Sequence, residues 1–101
     1  MPKFIACYDI AETDPDSQAE LIQQADITGW STWIWAPNAS KWYQLPNTTL
    51  IGEFANSEIA RAAFDKAIAA TKLAMRGLTL EKYFIADYGL AVFDSDEVHI
   101  G

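Results

Sequence analysis

The spacing of apolar residues along positions 57–76 constrains the fold of this chain more than any other feature. Apolar side chains recur there at steps of three and four, as in Phe64, Ala67 and Ile68. This period predicts an amphipathic helix with one apolar stripe, and Gly77 follows where a left-handed residue commonly ends a helix. Such a helix is stable only when a second layer of structure covers its stripe.

Strand-like runs lie on both sides of this helix. Short apolar segments bounded by turn-forming residues are typical of strands. The predicted strands span residues 3–10, 30–36, 48–55 and 80–88. A shorter apolar stripe predicts a first helix that begins at Ser17 and ends before Gly29. Residues 41–45 could pair back onto the second strand as a ribbon, and Gly52 marks a bulge or a close approach.

This order of elements predicts the fold class α+β. Strand, helix, two strands, helix and strand are typical of a ferredoxin-like β-α-β-β-α-β sandwich, an antiparallel sheet with two helices on one face. The first strand would then lie between the third and fourth and run opposite to both. A chain of 101 residues has room for one core, so we expect a single domain over residues 1–101. Residues 89–101 form a C-terminal tail that could add a short strand at 90–93.

The first strand is apolar on both of its faces. Phe4, Ala6 and Tyr8 alternate with Ile5 and Cys7, and successive side chains of a strand point to opposite sides of a sheet. Because helices can cover only one side, the other needs the tail, the ribbon or a second subunit. We expect a homodimer. The apolar surroundings of Cys7 predict a small core residue with an inert thiol.

The charge balance argues against several classes of function. The chain has 14 acidic and 7 basic residues and a net charge of -7, and six of the seven bases lie between Lys41 and Lys82. Nucleic-acid binding is disfavoured because phosphate contacts need clustered Lys and Arg. No apolar stretch approaches the ~20 residues of a membrane span, so no membrane contact is expected. The single cysteine fits a reducing, cytoplasmic location.

Acidic residues follow one another where the first strand ends. Asp9 closes the strand, and Glu12, Asp14 and Asp16 come next. Neighbouring carboxylates at a strand end can hold a hard divalent metal ion, which could activate water. The spacing lacks the alternating ligands and central glycine of a calcium loop. A solvated acidic turn that leads into a helix N-terminus is therefore the favoured interpretation.

Aromatic residues are concentrated in the predicted ribbon. Trp33 and Trp35 share one face of their strand, and Trp42 could pair with them across the ribbon, next to Tyr43. Such a cluster can form a ligand surface or a contact surface for a partner protein. Packing in the core or at a dimer interface is favoured, since no polar residues converge on it. His99 is expected in a fraying tail, and no residue is identified as catalytic.

The opening of the chain resembles a known family. Residues 4–10, FIACYDI, end the first strand with an aromatic-Asp-aliphatic triplet. In this they are similar to the small CRISPR-associated ferredoxin-like nucleases and their relatives among toxin and antitoxin proteins, whose length and element order also agree. The resemblance implies that Asp9 from each of two subunits flanks a divalent ion. Where that family has a basic, arginine-containing second-strand region, this chain has Trp33, Ile34 and Trp35.

Three functions from different classes are compatible with these patterns. The favoured one is a homodimeric interaction or regulatory module without catalytic activity, since it has the fewest special requirements. The second is a metal-dependent phosphodiesterase or endoribonuclease with Asp9 as a metal ligand. The third is a small-ligand-binding protein of the dimeric α+β barrel type, in which the tryptophans line a cavity between helices and sheet.

Overall fold

The computed structural model describes residues 1–11 and 17–100, and in this part the chain is an α+β protein with two helices and antiparallel sheets, as predicted. In chain order the elements are β1 (Lys3–Ile10), α1 (Gln18–Thr28), β2 (Trp30–Ser31), β3 (Trp33–Ala36), β4 (Lys41–Gln44), β5 (Thr49–Glu53), α2 (Ser57–Ala74), β6 (Leu80–Tyr88) and β7 (Val98–His99). The bounds of β1 and β6 match the predicted ones.

The described strands form two sheets, whereas the sequence predicts one. Four strands pair in the order β2-β5-β1-β6, and β1 is antiparallel to both of its neighbours. The other three pair in the order β3-β4-β7. We call the antiparallel pair β3 and β4 the ribbon.

The second sheet arises because the predicted strand at residues 30–36 is divided at Thr32. The Ser31 hydroxyl accepts a hydrogen bond from the Trp33 backbone N–H (3.0 Å) and donates one to the Trp33 carbonyl (3.1 Å). Side-chain bonds to nearby backbone compete with strand pairing. Residues before the break therefore pair with β5, and residues after it pair with β4.

Both helices pack on one face of the four-stranded sheet. Phe4, Ala6 and Tyr8 of β1 point to this side and are buried together with Leu21 of α1 and Phe64 of α2. The Tyr8 and Phe64 rings lie 6.0 Å apart, a distance typical of packed aromatic pairs. The alternation of β1 thus places one set of its side chains in the main core.

The second helix begins with a side-chain cap and ends earlier than predicted. The Asn56 side chain accepts a hydrogen bond from the Ile59 backbone N–H (3.0 Å), which satisfies a donor of the first turn. The helix ends at Ala74, before the predicted end at residue 76, because Met75 is extended, with φ -127°. Gly77 adopts a left-handed φ of 93° in the turn that follows. Neither described helix is long and apolar enough to span a membrane.

Gly52 of β5 lies where the sheet, the end of α1 and the core come closest. A β-carbon at this position would lie 2.7 Å from the Gly29 carbonyl oxygen and 2.6 Å from the Phe54 ring. Contacts that short would force these groups apart, so only glycine fits without a shift. The predicted close approach is confirmed.

The tail forms its strand at a different place from the predicted one. Residues 90–93 form no strand, whereas Val98 and His99 pair with Tyr43 and Trp42 of β4. Glu97, just before them, is also held by β4, since its carbonyl accepts a hydrogen bond from the Gln44 backbone N–H (3.0 Å). The free edge of β4 supplies backbone hydrogen-bond partners to Val98 and His99, whereas residues 90–93 pair with no strand of the described chain.

Candidate functional site

The second face of the four-stranded sheet carries no helix of the described chain. Ile5 of β1 points to it, as do Ile51 and Ala86, the cross-strand partners of Ile5 on β5 and β6. The ribbon and the tail lie over only a part of this face. We call the part formed by Ile5, Thr49, Ile51 and Tyr88 the covered half, and the part formed by Asp9, Lys82 and Phe84 the open half.

A cavity of about 560 Å³ lies between the covered half and the segments above it. The sheet contributes Ile5 and Ile51 to its lining. The ribbon contributes Ile34, and Leu45, which follows the ribbon, also lines the cavity. The tail contributes Phe93. Three separate parts of the chain therefore border a half-open, largely apolar space that none of their side chains fills.

Few polar groups reach this cavity. The described residues place the Cys7, Thr49, Tyr88 and Asp94 side chains in its lining, and no Lys, Arg or His. Burial raises the pKa of Tyr88, and the negative charge of Glu53 raises it further, so this hydroxyl is protonated and uncharged at neutral pH. A largely apolar lining with a few polar groups is the usual chemistry of small-molecule sites.

Cys7 is not the buried core residue that the sequence predicts. Its side chain is exposed and lies at the border of the cavity and of a second cleft on the open half. The alternation of β1 already indicates this placement, because Cys7 points away from Ala6 and Tyr8. The prediction is wrong because it assumes that the second face is fully covered.

The open half presents a large aromatic side chain to solvent. Phe84 of β6 is 64% exposed and pairs with Cys7 across the strands. In the described chain β6 is also an edge strand, with β1 on one side and no strand on the other. An exposed aromatic side chain on a nine-residue edge strand is a ready surface for another chain.

Asp9 lies on the open half as part of an ion pair. Its Oδ2 is 3.8 Å from Lys82 Nζ, and both side chains are more than half exposed, so this pair adds little to stability. Asp9 borders a cleft of about 420 Å³ together with Thr48 and Tyr83. No three His, Cys, Asp or Glu residues of the described chain lie close enough to hold a metal ion.

The other predicted metal ligands cannot be placed. Glu12, Asp14 and Asp16 lie outside the described residues. The hypothesis that they and Asp9 bind an ion therefore stays a prediction.

The four aromatic residues predicted as a ligand or partner surface lie on two faces of the ribbon. Trp35 and Trp42 are cross-strand partners, as predicted, with rings 5.2 Å apart. Trp33 shares their face, and its ring lies 4.5 Å from the ring of His99. Tyr43 points the opposite way and contacts the tail. The ribbon face opposite to Tyr43 thus holds three tryptophans and His99. His99 lies in β7 and not, as the sequence predicts, in a fraying tail.

The tryptophans do not line the cavity of about 560 Å³. Trp33 borders a smaller cleft of about 230 Å³ with Asp26 and Trp30. Trp30 itself belongs to the main core, where its ring lies 4.8 Å from that of Phe54. A role of Trp33, Trp35, Trp42 and Tyr43 in binding stays a prediction.

Comparisons with known proteins leave the geometry of this face as the basis for a functional assignment. No protein-family model, no curated protein and no solved structure matched the chain.

Proposed function

We propose that the protein is a homodimeric interaction module whose two subunits associate through the open half of the helix-free sheet face. The exposure of Phe84, 64% on a sheet face that the ribbon and the tail cover only in part, is the observation that supports this most. An aromatic side chain that gains burial on association is the usual anchor of a protein interface.

The charges of the open half favour a second copy of the chain as the partner. Two chains that each carry a net charge of -7 repel one another, so a self-contact needs a patch with balanced charge. Asp9 and Lys82 provide one acid and one base side by side. In a two-fold contact the same patch meets itself, so Asp9 of each copy can face Lys82 of the other.

The finer fold assignment belongs to the same proposal. The four-stranded sheet with α1 and α2 corresponds to a ferredoxin-like β-α-β-β-α-β unit, with the ribbon as an insertion between its second and third strands. Sheets of this kind commonly pair through the face that their helices leave free. An experimental structure in which β1 does not lie between β5 and β6 would contradict the assignment.

The dimer is tested by the solution mass of matched variants. Phe84→Glu places a charge in the proposed contact, and Leu73→Glu places the same charge on α2, where Leu73 is 89% exposed. Sedimentation equilibrium should give twice the chain mass for the wild type and for Leu73→Glu. For Phe84→Glu we expect one chain mass, since loss of a central aromatic anchor weakens association by about thirtyfold or more.

Two results would contradict the dimer. One is a wild-type protein that stays at one chain mass at the highest concentration reached. The other is a Phe84→Glu variant that is as dimeric as Leu73→Glu, which would place the contact elsewhere.

A second candidate function, a metal-dependent phosphodiesterase, is favoured by the position of Asp9. A different two-fold arrangement of the same half, in which the two Asp9 carboxylates meet at the axis, would match what the family resemblance implies. Specific binding of Mg²⁺ or Mn²⁺ stabilises the folded state. A thermal midpoint that rises with either ion in the wild type and not in Asp9→Asn would support this function. Equal midpoints with and without the ions would exclude Asp9 as a ligand.

A further inference from the structure

We propose that the cavity over the covered half binds an apolar small molecule that carries a positive charge, such as an alkylamine or a quaternary ammonium compound. This site lies beside the proposed dimer contact: Phe84 and Lys82 of the open half are not in its lining, whereas Cys7 borders both. The proposal rests on the volume of the cavity, on the residues that line it and on the charges around it.

The size and walls of the cavity fit a ligand and not a packing defect. Its volume of about 560 Å³ falls within the range of about 300–1,000 Å³ that is typical of small-molecule sites. The branched side chains of Ile5, Ile34 and Ile51 line this space without filling it, and it opens to solvent at the tail, where Val92 is fully exposed. They forgo the dispersion contacts that a close-packed interior makes, and an apolar ligand would restore those contacts.

The charged groups around the cavity favour a cation. Asp94 is the charged side chain among its described lining residues. Glu53 acts electrostatically on Tyr88, and Lys3, which pairs with Glu53 across the strands, offsets that charge outside the lining. A bound carboxylate would lose water without gaining a basic partner, and this costs free energy.

A bound ammonium group would gain several partners. The Asp94 carboxylate can pair with it, and the rings of Tyr88 and Phe93, which also line the cavity, can face it in cation–π contacts. The Thr49 hydroxyl is a further acceptor. The alkyl part of the ligand would then lie against the isoleucines.

The test compares three probes of equal chain length, which are octyltrimethylammonium, octanol and octanoate. Isothermal titration of the full chain below the micellar range should show one molecule of octyltrimethylammonium bound per chain. Octanoate should bind at least about tenfold more weakly, because its charge has no partner in the lining.

The position of the bound probe is checked through Cys7, the sole cysteine of the chain. Its thiol is exposed in the single chain and borders the cavity, so in the monomeric Phe84→Glu background octyltrimethylammonium should slow its alkylation by N-ethylmaleimide. Octanoate at the same concentration should leave the alkylation rate unchanged.

Two variants with a matched control decide the proposal. Ala91→Trp adds a large side chain to the lining from an exposed tail position and should reduce octyltrimethylammonium affinity by about tenfold or more. Asp94→Asn should remove the preference for the cation and leave octanol binding intact. Leu73→Trp, on the exposed side of α2, should bind like the wild type.

Three results would overturn the proposal. The first is no saturable binding of octyltrimethylammonium. The second is octanoate binding as tight as that of the cation. The third is unchanged cation binding in both Ala91→Trp and Asp94→Asn. Since Asp94→Asn changes one exposed group without altering its size, it remains informative if Ala91→Trp does not fold.

Discussion

The two faces of the four-stranded sheet are formed by the same strands and differ in what covers them. On one face Phe4, Ala6 and Tyr8 are at most 3% exposed, because α1 and α2 lie over them. On the other face Ile5 is only half-buried and Cys7 is exposed. Successive residues of β1 therefore alternate between the closed core and the open surface.

The difference follows from the shape of the covering elements. A helix presents a continuous apolar stripe that packs onto a sheet along its length. The ribbon has strands of four residues, and the tail crosses the face without regular structure at residues 90–97. Such short pieces cannot match the sheet surface everywhere, and an unfilled cavity results. The helix-covered face therefore supplies stability, and the helix-free face remains available for binding.

The largest effect that tests this comparison is expected from Phe64→Ala. Phe64 is fully buried on the helix-covered face, and removal of a buried phenylalanine ring costs about 3–5 kcal/mol of unfolding free energy. Ile51→Ala on the helix-free face should cost less than half as much, because Ile51 borders an existing cavity. Urea denaturation at equilibrium measures both.

Equal losses for Phe64→Ala and Ile51→Ala would show that the two faces are equally packed and would remove the basis of the comparison. If Phe64→Ala does not fold, Phe64→Leu gives a smaller loss that can be set against Ile51→Val in the same way.

Substitution of two tyrosines, one on each face, should have a smaller effect on the unfolding free energy, and this effect should depend on pH. Tyr8 of the helix-covered face donates a hydrogen bond to Gln18 Oε1 (3.1 Å), so Tyr8→Phe should cost about 0.5–1.5 kcal/mol at pH 7. Burial raises the pKa of Tyr8 above its ordinary value of 10.0. Its stabilising contribution is thus complete below pH 10 and is lost as the pH rises toward the folded-state pKa.

Tyr8→Phe has no hydroxyl to ionise at this position. The difference in unfolding free energy between the wild type and Tyr8→Phe should therefore narrow above pH 10. Tyr88→Phe on the helix-free face should show a narrowing in the same direction, because burial and the charge of Glu53 also raise the pKa of Tyr88. A gap for Tyr8→Phe that stays constant from pH 7 to alkaline pH would contradict burial of the Tyr8 hydroxyl. Denaturation curves recorded across this range provide the measurement.

The parts of the fold that the sequence predicts are those with local signals. The strands β1 and β6 are apolar runs between turn-forming residues, and the structure gives them the predicted bounds. The second helix has an apolar period of its own and a capping residue, Asn56. Period and caps are properties of neighbouring residues, so they can be recognised without the tertiary structure.

Sequence reasoning missed one local feature, the division at Thr32, and two features that depend on distant residues. The division at Thr32 results from a side-chain hydrogen bond of Ser31 that competes with strand pairing. The two-residue strand at Val98 and His99 exists because β4 has a free edge, for which a short polar tail carries no signal. The cavity depends on the path of the tail across the sheet, and the periodicity of apolar residues does not predict that path.

The smallest expected effect comes from Cys7→Ser, and it separates the two faces most directly. Cys7 is exposed in the single chain, so in the monomeric Phe84→Glu background an added hydroxyl is solvated and the unfolding free energy should change by less than about 0.5 kcal/mol. Ala6→Ser, one residue earlier in β1, places the same hydroxyl in the fully buried core, where a polar group without a partner costs about 1–3 kcal/mol. Urea denaturation of both variants measures the difference between their losses of unfolding free energy. A loss of more than about 1 kcal/mol for Cys7→Ser in that background would mean that the tail closes the second face in solution. A larger loss in the dimeric wild type than in the Phe84→Glu background would mean that the second chain covers Cys7.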